Sequence, residues 1–437
     1  MYWLQKYKNS LTDAETALQV VASGDHVYVH PGCAVPEVLI KQLINRKDEL
    51  TGVTIHHILT VGEAGYVGEG MESHFRHNAL FIGGNVRRAV HDGRADVTMV
   101  HLHQIASLFY RGIIPVDVAL IHVSPPDEHG FCSFGVGVEM TKPACEVAKT
   151  IIAQVNPRMP RALGDCFIHV NKISHVVEVD VPVKELPQVD EDPDSPEYDV
   201  YQKIGAYIAD LVEDESTLQM GIGAIPDAAL RSMEGKRHLG IHTEMFSDGV
   251  VKLFEMGVIT NERKTLHPGK MVASFVLGQR PLYDFLDNNP VVEFHPSHYV
   301  NDPFIISQNR KMVAINSALS VDLTGQVCAD SLGPRFYSGF GGQVDFIRGA
   351  ARSEGGKPII ALPSTAKHGE VSRIVPVLVE GSGVTTTRAD VHYIVTEFGV
   401  ASLFGKTVRE RVTQLIQIAH PKFRDQLRAF ARKNRYI

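Results

Sequence analysis

Paired cysteines are missing. The five present, Cys33, Cys132, Cys145, Cys166 and Cys328, are odd in number and scattered, with no spacing suited to a metal clip or a redox pair. They read as buried thiols in a reducing compartment. No stretch reaches the roughly 18 apolar residues of a membrane helix, and the first ten residues lack the apolar core of a signal peptide. A cytoplasmic protein that does not span a membrane is therefore expected. No run of Lys and Arg offsets the formal charge of −7, which argues against a nucleic-acid partner and for small-molecule ligands. A Gly-x-Ser-x-Gly elbow and a Ser-His-Asp order are likewise absent. The Gly-x-Gly of Gly221 and Gly223 is followed by Pro226 where a dinucleotide fingerprint needs glycine or alanine, so a nicotinamide cofactor fits poorly. Neither a bound metal nor a permanently held cofactor is expected.

What remains is a 437-residue chain of 44% apolar residues, long enough for two or three domains. Thr12 and Asp13 precede a helical pattern over 14–22. Strands are expected at 24–30, 53–60, 78–83, 95–101 and 116–123, the first followed by the turn Pro31-Gly-Cys-Ala-Val-Pro36 and a helix. Short apolar runs between helical patterns suit a mostly parallel sheet covered on both faces. The loop 124–135 carries His129, which reads as a loop histidine bonding backbone.

From Val183 to Val200 the composition turns acidic, with two prolines in Asp190-Glu-Asp-Pro-Asp-Ser-Pro196. This divides the chain into an N-terminal α/β domain, 1–185, an acidic linker, 186–200, and a C-terminal α/β domain, 201–437. The second half repeats the first: Ala34-Val-Pro36 matches Ala224-Ile-Pro226. Arg94-Ala-Asp-Val97 and Ser107-Leu-Phe109 recur in the same order as Arg388-Ala-Asp-Val391 and Ser402-Leu-Phe404. Two similar domains facing each other, with the ligand in the cleft between them, are expected.

The chemistry is placed at Leu239-Gly-Ile-His-Thr-Glu-Met-Phe-Ser-Asp-Gly249, where Glu244 stands between an expected strand and helix. Ahead of it, 218–230 reads as a strand, a glycine turn and a helix with Pro226 at its first position; beyond it lies a second glycine loop, Gly339-Phe-Gly-Gly-Gln-Val-Asp-Phe346. Both loops offer backbone N–H donors to a phosphate or to a developing oxyanion. Ionised, Glu244 can attack an acyl carbon; protonated, it can only give a proton. His242 reads as a packed histidine. Lys367 and Arg373, in the polar loop after the strand 357–362, suit either phosphate or solvent.

Taken together, His242-Thr-Glu244, Gly221-Ile-Gly-Ala-Ile-Pro226, Gly339 to Phe346, Ser364-Thr-Ala-Lys367 and Thr396-Glu-Phe-Gly399 resemble the acetyl-CoA hydrolase/transferase family over nearly the whole chain. With the loop Ser124-Pro-Pro-Asp-Glu-His-Gly130, the likeness is greatest to its 4-hydroxybutyrate CoA-transferases. The resemblance implies two CoA-transferase-type domains and Glu244 as nucleophile. Attack on an acyl-CoA would give a mixed anhydride and then a glutamyl-CoA thioester, in a ping-pong exchange with a short-chain carboxylate such as 4-hydroxybutyrate, butyrate or acetate. Coenzyme A would be a substrate. Gly221, Gly223, Ile225, Gly341, Gly342 and Lys367 would hold the oxyanion or the CoA, and Asn301 would position the substrate carboxylate. A homodimer or higher homo-oligomer is the default for such an enzyme. An acyl-CoA hydrolase with the same Glu244, and a non-catalytic acyl-CoA-binding module, are the competing readings.

Overall fold

The computed structural model describes residues 2–186 and 195–437. The expected linker falls largely outside them. From Ser195 the chain is already organised: the Ser195 hydroxyl accepts the Tyr198 N–H at 3.1 Å and caps the helix Pro196–Leu211, so 196–200 are helix rather than linker. Asp13 caps the short helix Ala14–Leu18 in the same way, accepting the Thr16 N–H at 2.8 Å.

The chain forms two compact units, Met1–Pro187 with Val272–Val300, and Gln188–Met271 with Asn301–Ile437. The expected contiguous domain 201–437 is therefore interrupted. The cause is backbone pairing: Val138 and Phe294 donate N–H bonds to Ser274 and Leu163, at 2.9 and 2.8 Å, and Leu186 donates to Gly278 at 2.9 Å. These bonds fix 272–300 to the first unit.

A seven-stranded parallel sheet forms the first unit, in the order Ala95–Val97, Phe75–Ala79, Val53–His57, His26–Val29, Val118–Val123, Thr150–Val155 and His175–Glu178. Val118–Val123 is buried at every position, as a strand with both faces covered must be. Around it pack Leu39, Leu43, Val27, Val29 and Ile152, each worth about 1.5–3 kcal/mol when fully removed from water. In the second unit the order is Gly240–Ile241, Thr217–Met220, Met312–Ser317, Lys357–Ala361 and Tyr393–Thr396, all parallel, with Gly399–Ser402 antiparallel at the edge.

The first sheet strand lies between the second and the fifth in the first unit and between the second and the third in the second, and in both two more parallel strands follow on that side. Five strands thus correspond one for one. The segments Ala34-Val-Pro36 and Ala224-Ile-Pro226 follow corresponding strands, as the repeat requires, although the first is a turn and the second already helix. The other matched pair does not correspond. Arg94-Ala-Asp-Val97 runs into an edge strand, Ala95–Val97, whereas Arg388-Ala-Asp-Val391 forms the turn leading to Tyr393–Thr396. Ser107 to Phe109 is helical, and Ser402 to Phe404 ends a strand. Three or four identical letters are too few to fix register against topology.

Among the described residues, no helix is long and apolar enough to cross a membrane. Positive charge does gather on one element that the linear pattern does not single out. The helix Pro421–Lys433 and the turn after it carry Lys422, Arg424, Arg428, Arg432, Lys433 and Arg435 against Asp425.

Candidate active site

All the residues of this site belong to the second unit. The strand Thr217–Met220 is buried throughout and ends at Gly221. Gly223 adopts φ 109° and ψ −178°, a conformation open to glycine and strained for other residues, and the helix Ala224–Ser232 starts directly after it. Pro226 is the third residue of that helix, not the first. The N–H groups of Ala224 and Ile225 precede the first intrahelical bond, which Asp227 donates to the Gly223 carbonyl at 3.0 Å.

Next to this strand runs Gly240–Ile241, and the chain then bends through His242, Thr243 and Glu244 into the short strand Met245–Phe246. His242 is fully buried, with its ring edge-on to Phe346 at 6.3 Å, which is the packing role expected of it. The Thr243 hydroxyl lies 2.8 Å from the Met245 carbonyl and 3.2 Å from the Met220 carbonyl. It also receives the Met220 N–H at 3.4 Å. One buried hydroxyl therefore ties the residue after Glu244 to the residue before Gly221.

The Glu244 carboxylate accepts a hydrogen bond from the Asn301 side-chain amide at 2.9 Å. It lies over the backbone of Gly342, which caps the helix Gln343–Arg352. A Cβ at Gly342 would stand 2.0 Å from Glu244 Oε2 and 2.2 Å from the Asn301 amide nitrogen, so only glycine fits. Burial pushes the Glu244 pKa up to about 7, and the neighbouring Asp345 charge adds to the rise; the Asn301 amide and the Gly342 backbone pull the other way. Near neutral pH the group is therefore divided between an acid and a desolvated carboxylate, the form that can attack a carbonyl carbon.

Beside the first turn of Ala224–Ser232 opens a cavity of about 450 Å³, whose walls include Ile222, Gly223, Ile225, Tyr201, Tyr337 and Arg373. A smaller one, about 70 Å³, lies against Gly221, Ile225, Ile315 and Asn316. Glu244 is not among the lining residues of either. Arg373 donates one guanidinium N–H to the Ala318 carbonyl at 3.3 Å. Its Nε is buried with no hydrogen-bond partner among the described residues. Burial lowers its pKa, and Tyr201 and Tyr337 favour the charged form.

Of the residues singled out from sequence, Glu244, Asn301 and Gly342 meet, with Gly341 adjoining in the left-handed region at φ 52°. Gly221, Gly223 and Ile225 line the cavities. Lys367 does neither: it is exposed at the tip of the hairpin joining Thr365–Ala366 to Val371–Ser372. Arg373, six residues on, is the cation in the cavity wall. His129 is largely exposed, next to Glu128. Thr243 and Asp345 are not distinguished by sequence, although both sit inside the motifs that draw attention.

A part-buried carboxyl beside a glycine helix cap, with a second glycine turn opening on a cavity, suits acyl transfer. The profile of the acetyl-CoA hydrolase/transferase N-terminal domain matches residues 2–187, and that of the C-terminal domain matches 278–431. The chain belongs to the acetyl-CoA hydrolase/transferase family. Within it, the chain is 52% identical to the 4-hydroxybutyrate coenzyme A transferase of Clostridium kluyveri over 98% of both sequences. It is 50% identical to the succinyl-CoA:acetate/propanoyl-CoA:succinate CoA transferase of Fasciola hepatica, over 92% of this chain and 84% of that one. Its fold is similar to that of RipA from Yersinia pestis, with a TM-score of 0.93 at 37% identity over the whole of both chains.

Proposed function

We propose that the protein is a CoA-transferase that moves coenzyme A between an acyl-CoA and a short-chain carboxylate of the 4-hydroxybutyrate, butyrate and acetate class. The observation that carries the reading is the Glu244 carboxyl, desolvated enough to be pushed up to about 7 and held by Asn301 over Gly342. The ionised carboxylate attacks the acyl-CoA carbonyl, the carbon–sulfur bond breaks, and coenzyme A leaves as its thiolate. The thiolate then attacks the glutamyl carbon of the mixed anhydride and releases the acyl group as a carboxylate. An incoming carboxylate reverses both steps and departs as the new acyl-CoA. Each tetrahedral intermediate bears an oxyanion. N–H donors at Ile225 and in the Gly341–Gly342 turn are the groups suited to it, a donor of this kind being worth about 3 kcal/mol.

Coenzyme A enters as a substrate. Its phosphates call for a cation, and the Arg373 guanidinium in the cavity wall is the group suited to them. The names of the relatives support the short-chain acid class but divide between 4-hydroxybutyrate and succinyl, propanoyl and acetate groups. One methylene changes discrimination by only about 1–3 kcal/mol.

The test is exchange between butyryl-CoA and acetate, followed by the appearance of acetyl-CoA. Parallel double-reciprocal lines, with no loss of total thioester, are expected of the transferase. Coenzyme A released without an acceptor acid would instead identify a hydrolase. Tight acyl-CoA binding with neither reaction would identify a binding module.

A further inference from the structure

Two of the segments that carry the resemblance, Ser364-Thr-Ala-Lys367 and Thr396-Glu-Phe-Gly399, have no part in the route above. The fold joins them. The parallel strands Lys357–Ala361 and Tyr393–Thr396 run side by side, and beyond Ala361 the Leu362 N–H still reaches the Val395 carbonyl at 3.0 Å. A parallel ladder would next bring the Ser364 N–H to the backbone of Glu397. There, however, the second strand turns back: Thr396 pairs with Gly399, which leaves Glu397 in a two-residue turn. Its side chain takes the place of the rung. The Glu397 carboxylate accepts the Ser364 N–H at 2.8 Å through one oxygen and the Ser364 hydroxyl at 2.5 Å through the other.

Ser364 is fully buried and stands at the base of the hairpin that joins Thr365–Ala366 to Val371–Ser372. Its carbonyl accepts the Arg373 N–H at 2.8 Å, where the hairpin returns. The Arg373 carbonyl in turn accepts the Val321 N–H at 2.8 Å, and its guanidinium donates to the Ala318 carbonyl at 3.3 Å. Leu362 and Pro363, just ahead of Ser364, line the cavity of about 450 Å³ together with Ala318 and Arg373. One carboxylate thus fixes the residue to which both this wall and its cation are attached. Burial lowers the Arg373 pKa, and Glu397 is among the groups that favour the charged guanidinium. A buried N–H left without an acceptor is costly, so loss of the carboxylate should shift the base of the hairpin.

We propose that Glu397 is a positioning residue for coenzyme A: by holding Ser364 it fixes the hairpin base from which Arg373 enters the cavity wall, and so directs the guanidinium to the phosphates. This rests on the reading of Arg373 as the phosphate-binding cation of a CoA-transferase. Glu397 then acts only where Arg373 does. Its removal should weaken binding of the phosphate-bearing part of the donor and leave the reacting thioester end untouched.

The experiment compares butyryl-CoA with butyryl-pantetheine, which lacks the phosphates and the adenosine, in the parent, Glu397→Ala, Glu397→Gln and Ser364→Ala, each with and without Arg373→Gln. Glu397→Ala should raise the butyryl-CoA KM by about fivefold to tenfold, the size of one charge-assisted hydrogen bond, with kcat and the butyryl-pantetheine KM within about twofold of the parent. Added to Arg373→Gln, it should change KM by less than about twofold, because the two act as a unit. Glu397→Gln should restore the parental KM, since its amide oxygen can accept the N–H and its amide nitrogen can donate to the hydroxyl. Ser364→Ala, which removes the hydroxyl bond alone, should give a smaller rise of the same kind and decides the matter if Glu397→Ala does not fold.

A parental butyryl-CoA KM in Glu397→Ala, an equal loss with both donors, or a full further loss on top of Arg373→Gln would overturn the proposal and leave Glu397 a strand-end cap. Calorimetric titration with coenzyme A alone repeats the comparison without turnover. Parental affinity in Arg373→Gln would remove the reading of Arg373, whereas a loss there with none in Glu397→Ala would remove only the role given to Glu397.

Discussion

The same strand–glycine–proline turn is closed in the first unit and open in the second. After His26–Val29, the backbone of Gly32 donates to the Leu59 carbonyl at 2.7 Å and accepts the Val61 N–H at 3.1 Å. The neighbouring strand's extension thus takes up the turn's polar groups. After Thr217–Met220, the corresponding Gly221–Gly223 turn lines cavities, and it is a side chain, Thr243, that reaches across from the neighbouring segment. The end of that neighbouring strand also differs between the units. In the first unit it stops at His57, whose imidazole is bonded to the Tyr66 hydroxyl at 2.6 Å and stacked on His77 at 4.0 Å. In the second it leads to Glu244. The shared topology places a turn and a neighbour side by side. Whether backbone closes the turn or leaves it lining a cavity is decided by a few residues beyond the strands.

The largest expected effect falls on the open side. Glu244→Gln should lower transfer by about a thousandfold or more, because no covalent route remains. It should also raise stability. A carboxyl whose folded pKa, about 7, exceeds its unfolded value near 4.5 costs nothing below 4.5; the cost grows as pH rises towards 7. Thermal unfolding at pH 8 should therefore show the variant more stable than the parent, by at most about 3 kcal/mol. Loss of activity with loss of stability would contradict this.

Gly342→Ala comes next. Its Cβ must displace the Glu244 carboxylate and the Asn301 amide, and a shift of about 1 Å in a reacting group can cost about a hundredfold in kcat. A turnover measurement within a few-fold of the parent would show that the carboxylate works from another position.

Acid should separate the two units with the opposite sign. His30 and His57 are held down to about 4, His56 and His122 to about 3, and His77 well below its ordinary value, chiefly by burial. Their neutral forms favour the fold above the unfolded pKa of about 6.5, and this contribution is lost as pH falls through that value, by about 1.4 kcal/mol per pH unit for each histidine. Hydrogen exchange between pH 7 and 5 should therefore accelerate in the strands His26–Val29, Val53–His57 and Phe75–Ala79. Equal acceleration in Thr217–Met220 would break the contrast between the units.

The smallest effects distinguish the two cations. Arg373→Gln should raise the acyl-CoA KM by about tenfold with kcat little changed, the size of one charge-assisted hydrogen bond. Lys367→Ala, at an exposed hairpin tip, should change KM by less than about twofold. The reverse order in a steady-state comparison would move the phosphate site to the hairpin.

Much of this is legible in the sequence where local signals and fold agree. Asp13 caps a helix, Gly223 turns after a strand, and Lys357–Ala361 reads as the buried strand it is. The apolar run Thr150–Val155 escapes assignment because a short buried run carries no period to separate strand from helix. The return of 272–300 to the first unit depends on backbone bonds that no local pattern encodes. In the site, Glu244 and the glycine turns announce themselves by residue type, and Asn301 by family resemblance. Thr243 and Asp345 do not, because a buried hydroxyl and a buried carboxylate look in sequence like any other polar residue. Lys367 draws attention for its charge, yet burial, which sequence does not show, distinguishes it from Arg373.

The most direct test is to incubate the protein with butyryl-CoA without an acceptor acid, reduce with borohydride, and map the peptide that holds Glu244 by mass. A thioester is reduced under these conditions and a carboxylate is not, so conversion of Glu244 to its alcohol is the expected result. An unmodified Glu244 peptide, with coenzyme A accumulating in solution, would contradict the covalent transferase.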